Sequence, residues 1–146
     1  MGSIKKYVVL KFILPLIIIG FLFLYWNIAT GILFTLIYIP IIIFTSRAAI
    51  YKMFGNIAYA NGKVEESLKW FEKAVKLKKV EPRTKTLYAF LLLKVGRIEK
   101  SQKVLDEVIS SNAKKDDKMF AKSNMALVLW KKGNLDEAIS ILEEVI

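Results

Sequence analysis

Between Tyr7 and Phe44 the chain carries a single charged side chain, Lys11, whereas all 13 acidic residues lie from Glu65 onward. Apolar residues distributed so unevenly over 146 positions do not describe one soluble core. They describe a change of solvent, with the first third in a membrane. As one helix this stretch would be about 57 Å long at 1.5 Å per residue, nearly twice the hydrocarbon thickness of a bilayer. It must fold back or stop. Interface aromatics, a turn-prone asparagine and a glycine coincide in Tyr25-Trp26-Asn27-Ile28-Ala29-Thr30-Gly31, so the reading is a two-helix transmembrane hairpin with spans of about 7–26 and 28–45.

Basic residues give that hairpin an orientation. Lys5, Lys6 and Lys11 precede the first span or lie at its start, Arg47 and Lys52 follow the second, and the turn between them carries none. Both termini are expected in the cytoplasm. Pro15 and Pro40 fit inside spanning helices as kinks, because neighbouring groups re-satisfy the freed carbonyls. A cleaved signal peptide fits poorly: Asn27-Ile28-Ala29 is no small-x-small site, and a second apolar run follows at once. Without cysteine there is no lipobox, and Lys6 stands where a myristoylation signal needs serine or threonine.

The formal charge of +10 shrinks outside the hairpin. Setting Lys5, Lys6, Lys11 and Arg47 aside leaves 19 basic against 13 acidic residues, interleaved as on solvated helix faces. No nucleic-acid partner is expected; anionic lipid headgroups are the better match for such a surface on an anchored chain. Cysteine and histidine are both absent, which removes disulfides, thiolate nucleophiles, the usual zinc ligand sets and imidazole catalysis. No glycine-rich phosphate loop is present either. The expectation is a protein without cofactor, metal or enzymatic activity. Abundant isoleucine and lysine with scarce arginine match the residue usage of AT-rich bacterial genomes, so the membrane is taken as a bacterial cytoplasmic one.

The remainder repeats itself. Asn61-Gly62-Lys63-Val64-Glu65-Glu66, Val95-Gly96-Arg97-Ile98-Glu99-Lys100 and Lys132-Gly133-Asn134-Leu135-Asp136-Glu137 each separate two amphipathic runs, with the glycines 34 and then 37 residues apart. This spacing, with a glycine between two helices, resembles the tetratricopeptide repeat. In the first repeat Tyr51 stands at the usual tryptophan position, Phe54-Gly55 replaces Leu-Gly, and Ser67, Phe71 and Ala74 fill the second-helix sites. Tyr88-Ala89, Leu92, Ser101, Leu105 and Val108 hold those places next, and Met125-Ala126, Leu129, Ala138, Leu142 and Val145 after them.

The resemblance implies an all-α chain whose hairpin, residues 1–46, precedes a right-handed α-solenoid of three helix pairs over 47–146. The repeats run over about 48–81, 82–115 and 119–146. Small residues at Gly55, Ala89 and Ala126 let paired helices approach, and each turn glycine supplies a left-handed conformation. Helices are expected at about 48–60, 64–78, 83–95, 98–111, 118–132 and 135–146, with Pro82 in a first turn. Asp116 and Asp117 are candidate caps of the fifth, and the three extra residues from Asp116 to Lys118 are expected in the turn before it. The second span either continues into the first repeat helix or bends at Thr45-Ser46.

In this family the ligand generally lies in the concave groove lined by the first helix of each pair. The resemblance therefore assigns a protein- or peptide-binding row of Lys52, Asn56 and Tyr59, then Phe90, Leu93 and Lys94, then Leu127, Trp130 and Lys131, with Thr86 and Ser123 beside them. Lys52 and Asn56 also match two residues of the clamp by which some members hold chaperone C-termini. Leu87, Phe120 and Asn124 depart from the rest of it, so that ligand is not expected. The pairs Glu65-Glu66, Asp116-Asp117 and Glu143-Glu144 read as helix-end and solvent-face charges.

These expectations converge on a membrane-tethered scaffold or adaptor that binds protein at the cytoplasmic face. The alternative is a structural subunit whose hairpin packs with other transmembrane helices, the repeats acting as spacer or dimerisation surface. The last repeat reaches Ile146 inside its second helix with no polar capping helix, so either a partner or a second copy covers that face, homo-oligomerisation included, or the chain is truncated.

Overall fold

The computed structural model describes residues 12–145, and every regular element among them is helical. They are α1 (Leu14–Phe21), a π-helical turn (Leu22–Trp26), α2 (Ile28–Ala60), α3 (Val64–Val75), α4 (Pro82–Lys94), α5 (Ile98–Ser110), α6 (Lys115–Lys132) and α7 (Leu135–Val145). The chain divides into two compact units, Met1–Ser46 and Arg47–Ile146. The start of the first expected span, with Lys5, Lys6 and Lys11, lies outside the described residues, as does Ile146.

In the first unit the helical path breaks at Asn27, whose backbone is extended (φ −167°, ψ 143°). Its side chain then starts the next helix. Asn27 Oδ1 accepts the Ala29 N–H at 3.0 Å, and the Asn27 carbonyl accepts the Thr30 and Gly31 amides, which satisfies donors that a helix start would otherwise leave open. The Phe23 ring lies over Gly31, where an added Cβ would stand 2.8 Å from it. Farther along, Thr35 Oγ1 donates to the Gly31 carbonyl and Thr45 Oγ1 to the Ile42 carbonyl, so these hydroxyls are satisfied within their own helix.

Helix α2 has 33 residues, contains Pro40 and passes Thr45-Ser46 without a break. It is the one described helix long and apolar enough to cross a membrane, and only 6% of its most apolar stretch is buried. The other apolar stretch, Leu14–Tyr25, is shorter. A two-span hairpin is therefore not established by the described residues, which include one helix of spanning length.

The second unit is built on three copies of one turn. Gly62, Gly96 and Gly133 have φ of 75°, 79° and 85°, the left-handed region that a side chain rarely adopts. At each, the glycine amide bonds three residues back (to Tyr59, Leu93 and Trp130), and the next amide bonds five back (Lys63 to Ala58, Arg97 to Leu92, Asn134 to Leu129). This double closure is the Schellman motif. In each copy the residue after the glycine then accepts the first bond of the following helix, from Ser67, Ser101 and Ala138. Three identical turns give three helix pairs of one geometry.

Two boundaries depart from the sequence reading. Helix α3 stops at Val75 rather than Lys78: Pro82 holds Glu81 extended (ψ 136°), and the lysine-rich stretch before it makes the turn. Helix α6 starts at Lys115 rather than Lys118. Asp116 and Asp117 are thus not caps but first-turn residues, where their charges meet the positive end of the helix, and Lys114 occupies the cap position without a side-chain bond. The extra residues of the third repeat lengthen its first helix to 18 residues against 13 in α4, and the turn stays short.

Pairs stack through two buried clusters, one of Leu68, Phe71, Tyr88, Leu91 and Leu92, the other joining Ala89, Leu93, Leu105 and Val108 to Ala121, Met125, Val128 and Leu129. Inside this apolar packing sit Ser67 and Ser101, both fully buried at equivalent positions. Ser101 Oγ donates to the Ala89 carbonyl at 2.7 Å, whereas Ser67 Oγ has no partner. Ser101→Ala is expected to cost about 1 kcal/mol, the usual net worth of such a bond, while Ser67→Ala is neutral or stabilising because it removes an unsatisfied hydroxyl. Denaturant midpoints of the two variants separate these outcomes.

Candidate protein-binding surface

The first helices of the repeats within the second unit are the C-terminal part of α2, then α4 and α6. Aromatic packing fixes the first pair: Trp70 on α3 lies 5.2 Å from Phe54 and 6.0 Å from Tyr51, ring to ring. It also fixes the junction with the second, since Tyr59 meets Phe90 edge-on at 6.1 Å. Lys94 Nζ stands 5.4 Å from the centre of the same Phe90 ring. The result is a half-exposed aromatic pair carrying a cation at its edge.

Around that pair lies a small concavity of about 60 Å³, lined by Asn56, Tyr59, Leu87, Phe90 and Leu91 with Ser67 and Phe71. That is roughly the liquid volume of two waters, and its walls are mainly apolar. Lys52 sits one turn before Asn56 and pairs with Glu81 at 2.7 Å, so its charge is shared across the first repeat junction. On α6, Leu127 and Trp130 are exposed, and Lys131 beside them is exposed as well.

Eight of the nine residues assigned to the groove therefore have accessible surface: Lys52, Asn56, Tyr59, Phe90, Lys94, Leu127, Trp130 and Lys131. Leu93 does not. At 4% exposure it belongs to the buried cluster that includes Ala121, Met125 and Leu129 of α6. Thr86 is buried as well, its hydroxyl bonded to the Pro82 carbonyl, and Ser123 is half-buried with its hydroxyl bonded to the Met119 carbonyl. Sequence reading missed the contribution of Ser67 and Phe71 from α3 to the concavity. Their equivalence to Ser101 and Leu105, which only pack, offered no sign of it.

Stacked helix pairs joined by one repeated glycine turn define a helical-repeat protein. The family model for the tetratricopeptide repeat matches residues 48–80 and 121–146, the first and third helix pairs, and these two matches support a tetratricopeptide-repeat protein. The second pair, with its degenerate residues, falls between them. Tetratricopeptide repeats are in general protein-interaction modules without chemistry of their own. No curated protein matches the chain. Among the described residues no group of three or more acidic, histidine or cysteine side chains is arranged to hold a metal.

Proposed function

We propose that this chain is a membrane-tethered scaffold that binds a protein segment on its concave surface at the cytoplasmic side. The observation that carries the binding half is the Tyr59–Phe90 pair, exposed in part, flanked by Asn56 and Lys94 and opening onto a small apolar concavity. Aromatic anchors of low conformational entropy beside adaptable polar groups and lysines suit an extended peptide with an apolar side chain and acidic neighbours. The tethering half rests on α2, whose apolar part exposes most of its side chains, the face of Gly31, Phe34, Thr35, Tyr38 and Ile42 being buried or half-buried. Arg47 and Lys52 follow that part, and a cytoplasmic C-terminal unit agrees with them. A second span before Asn27 and contact with anionic headgroups belong to the same proposal. A tether of this kind raises the local concentration of whatever the groove holds.

The test is photo-crosslinking from position 94 in native membranes. One discrete adduct is expected, reduced about tenfold or more by Phe90→Ala and by Leu127→Asp, as for anchor residues whose truncation costs roughly 1.4–2 kcal/mol. An adduct indifferent to both substitutions sinks the groove reading. The photoreactive residue replaces Lys94 in every protein compared, so the crosslinking position stays constant.

A further inference from the structure

The two kinds of turn in the second unit carry different charge. Residues 76–85 and 111–118, which link one repeat to the next and enter α4 and α6, hold eight basic side chains against three acidic. The glycine turns, residues 61–66, 95–100 and 131–137, hold five of each. Among the turns, all of the excess falls on those between repeats. Three contacts bring these turns to one end of the unit. Lys52, near the start of the unit at Arg47, pairs with Glu81 of the first inter-repeat turn at 2.7 Å. Lys85 at the start of α4 pairs with Glu107 near the end of α5 at 3.4 Å, and the Arg83 guanidinium lies 5.0 Å from the centre of the Phe120 ring near the start of α6. The glycine turns fall at the opposite end, where Lys132 Nζ donates to Gln102 Oε1 at 2.6 Å and so joins the end of α6 to the start of α5.

Most acids at the inter-repeat end are taken up within the unit. Glu72 pairs with Lys76, Glu107 with Lys85 and Glu144 with Lys122, while Asp116 and Asp117 lie in the first turn of α6. Lys78, Lys79, Lys114 and Lys115 are exposed and make no ion pair among the described residues. Four free ammonium groups are thus left on two turns. An ammonium is a hydrated point charge on a flexible stem, suited to phosphates spread over a surface, and it needs no preformed pocket. Covalent connection decides what these groups meet. Arg47, the first residue of the unit, stands only Thr45 and Ser46 beyond the apolar run that ends at Phe44. On the tethering reading, on which this inference rests, the inter-repeat end is therefore the one next to the bilayer, within reach of its surface potential.

We propose that the turns carrying Lys78, Lys79, Lys114 and Lys115, with Arg83 and Lys118 beside them, bind the phosphates of anionic lipid headgroups. The contact holds the repeat unit by its inter-repeat end. Tyr59, Phe90 and Lys94, which lie shortly before the glycine turns, are left on the side away from the lipid and open to a partner.

The test uses full-length protein reconstituted into vesicles of phosphatidylcholine alone or of equal parts phosphatidylcholine and phosphatidylglycerol, both doped with a headgroup nitroxide as quencher. Native cysteine is absent, so one fluorophore is placed at Asn112→Cys in the second inter-repeat turn or at Asn61→Cys in the first glycine turn, both exposed positions. Quenching at position 112 is expected to rise about twofold or more with phosphatidylglycerol and to fall back in high salt, as screened surface charge requires. Quenching at position 61 stays the same. Replacing Lys78, Lys79, Lys114 and Lys115 together by glutamate should remove the rise; an unchanged thermal transition verifies that the variant folds, and the salt series needs no variant. Equal quenching at position 112 in both vesicles, a rise insensitive to salt or kept by the glutamate variant, or an equal rise at position 61 overturns the proposal, while protein that floats with both vesicles upholds the tether. Protein that floats with neither overturns the tether, and this inference with it. A labelled DNA duplex bound by the reconstituted protein and released by the same four substitutions assigns the lysines to nucleic acid and likewise overturns it.

Discussion

Replacing Gly55 by alanine is expected to destabilise the second unit by about 1–3 kcal/mol, the range for forcing a methyl group into a filled core. Alanine favours a helix interior over glycine by about 1 kcal/mol, so an open site would respond with the opposite sign. The site is not open. A Cβ at Gly55 would stand 2.6 Å from two atoms of the Phe71 ring, closer than carbon atoms pack, and Phe71 is itself only 2% exposed and cannot withdraw. The second repeat indicates the remedy, because there the equivalent pair is Ala89 with Leu105, both fully buried. Combining Gly55→Ala with Phe71→Leu should therefore cost clearly less than the two single changes added together. Denaturant midpoints for the four proteins in this cycle give the coupling directly. Additive costs would mean that Gly55 and Phe71 do not share the space in question.

Gly55 was legible from the amino-acid order alone because a small residue recurs at one position of a 34-residue period, and the turn glycines for the same reason. What repeats in the sequence repeats in the backbone. Features belonging to one copy were harder to read. The start of α6 depends on whether three inserted residues join the helix or the turn, and Asp-Asp serves equally as cap or as first turn. Leu93 and Trp130 occupy one register position, so no periodicity separates the buried residue from the exposed one. The π-helical turn before Asn27 leaves no mark in composition at all. Asn27 itself was readable as a break, since its short side chain can replace the backbone partner that a helix start lacks.

Converting Leu33 and Ile37 together to arginine is expected to abolish stable insertion of the apolar part of α2. Each arginine near the centre of a spanning helix costs about 2.5–3.5 kcal/mol in insertion, and the two lie one turn apart at exposed positions of a segment whose mean hydropathy is 2.3. Neither charge has an internal partner to turn toward, because the surrounding face is Ile32, Leu36 and Ile41. The absence of native cysteine makes the outcome easy to read, since a single Lys78→Cys label reports the second unit alone. With α2 intact, that thiol should be protected from an impermeant maleimide until cells are opened, and the protein should stay with the membrane in alkaline carbonate. After the double substitution two results are distinguishable. If the residues before Asn27 form a second span, the chain remains in the membrane and its label becomes accessible from outside. If α2 is the sole span, the chain passes into the carbonate supernatant. Wild-type protein that carbonate extracts fully would mean that the apolar surface of α2 is covered by protein, and the tether would have to be abandoned.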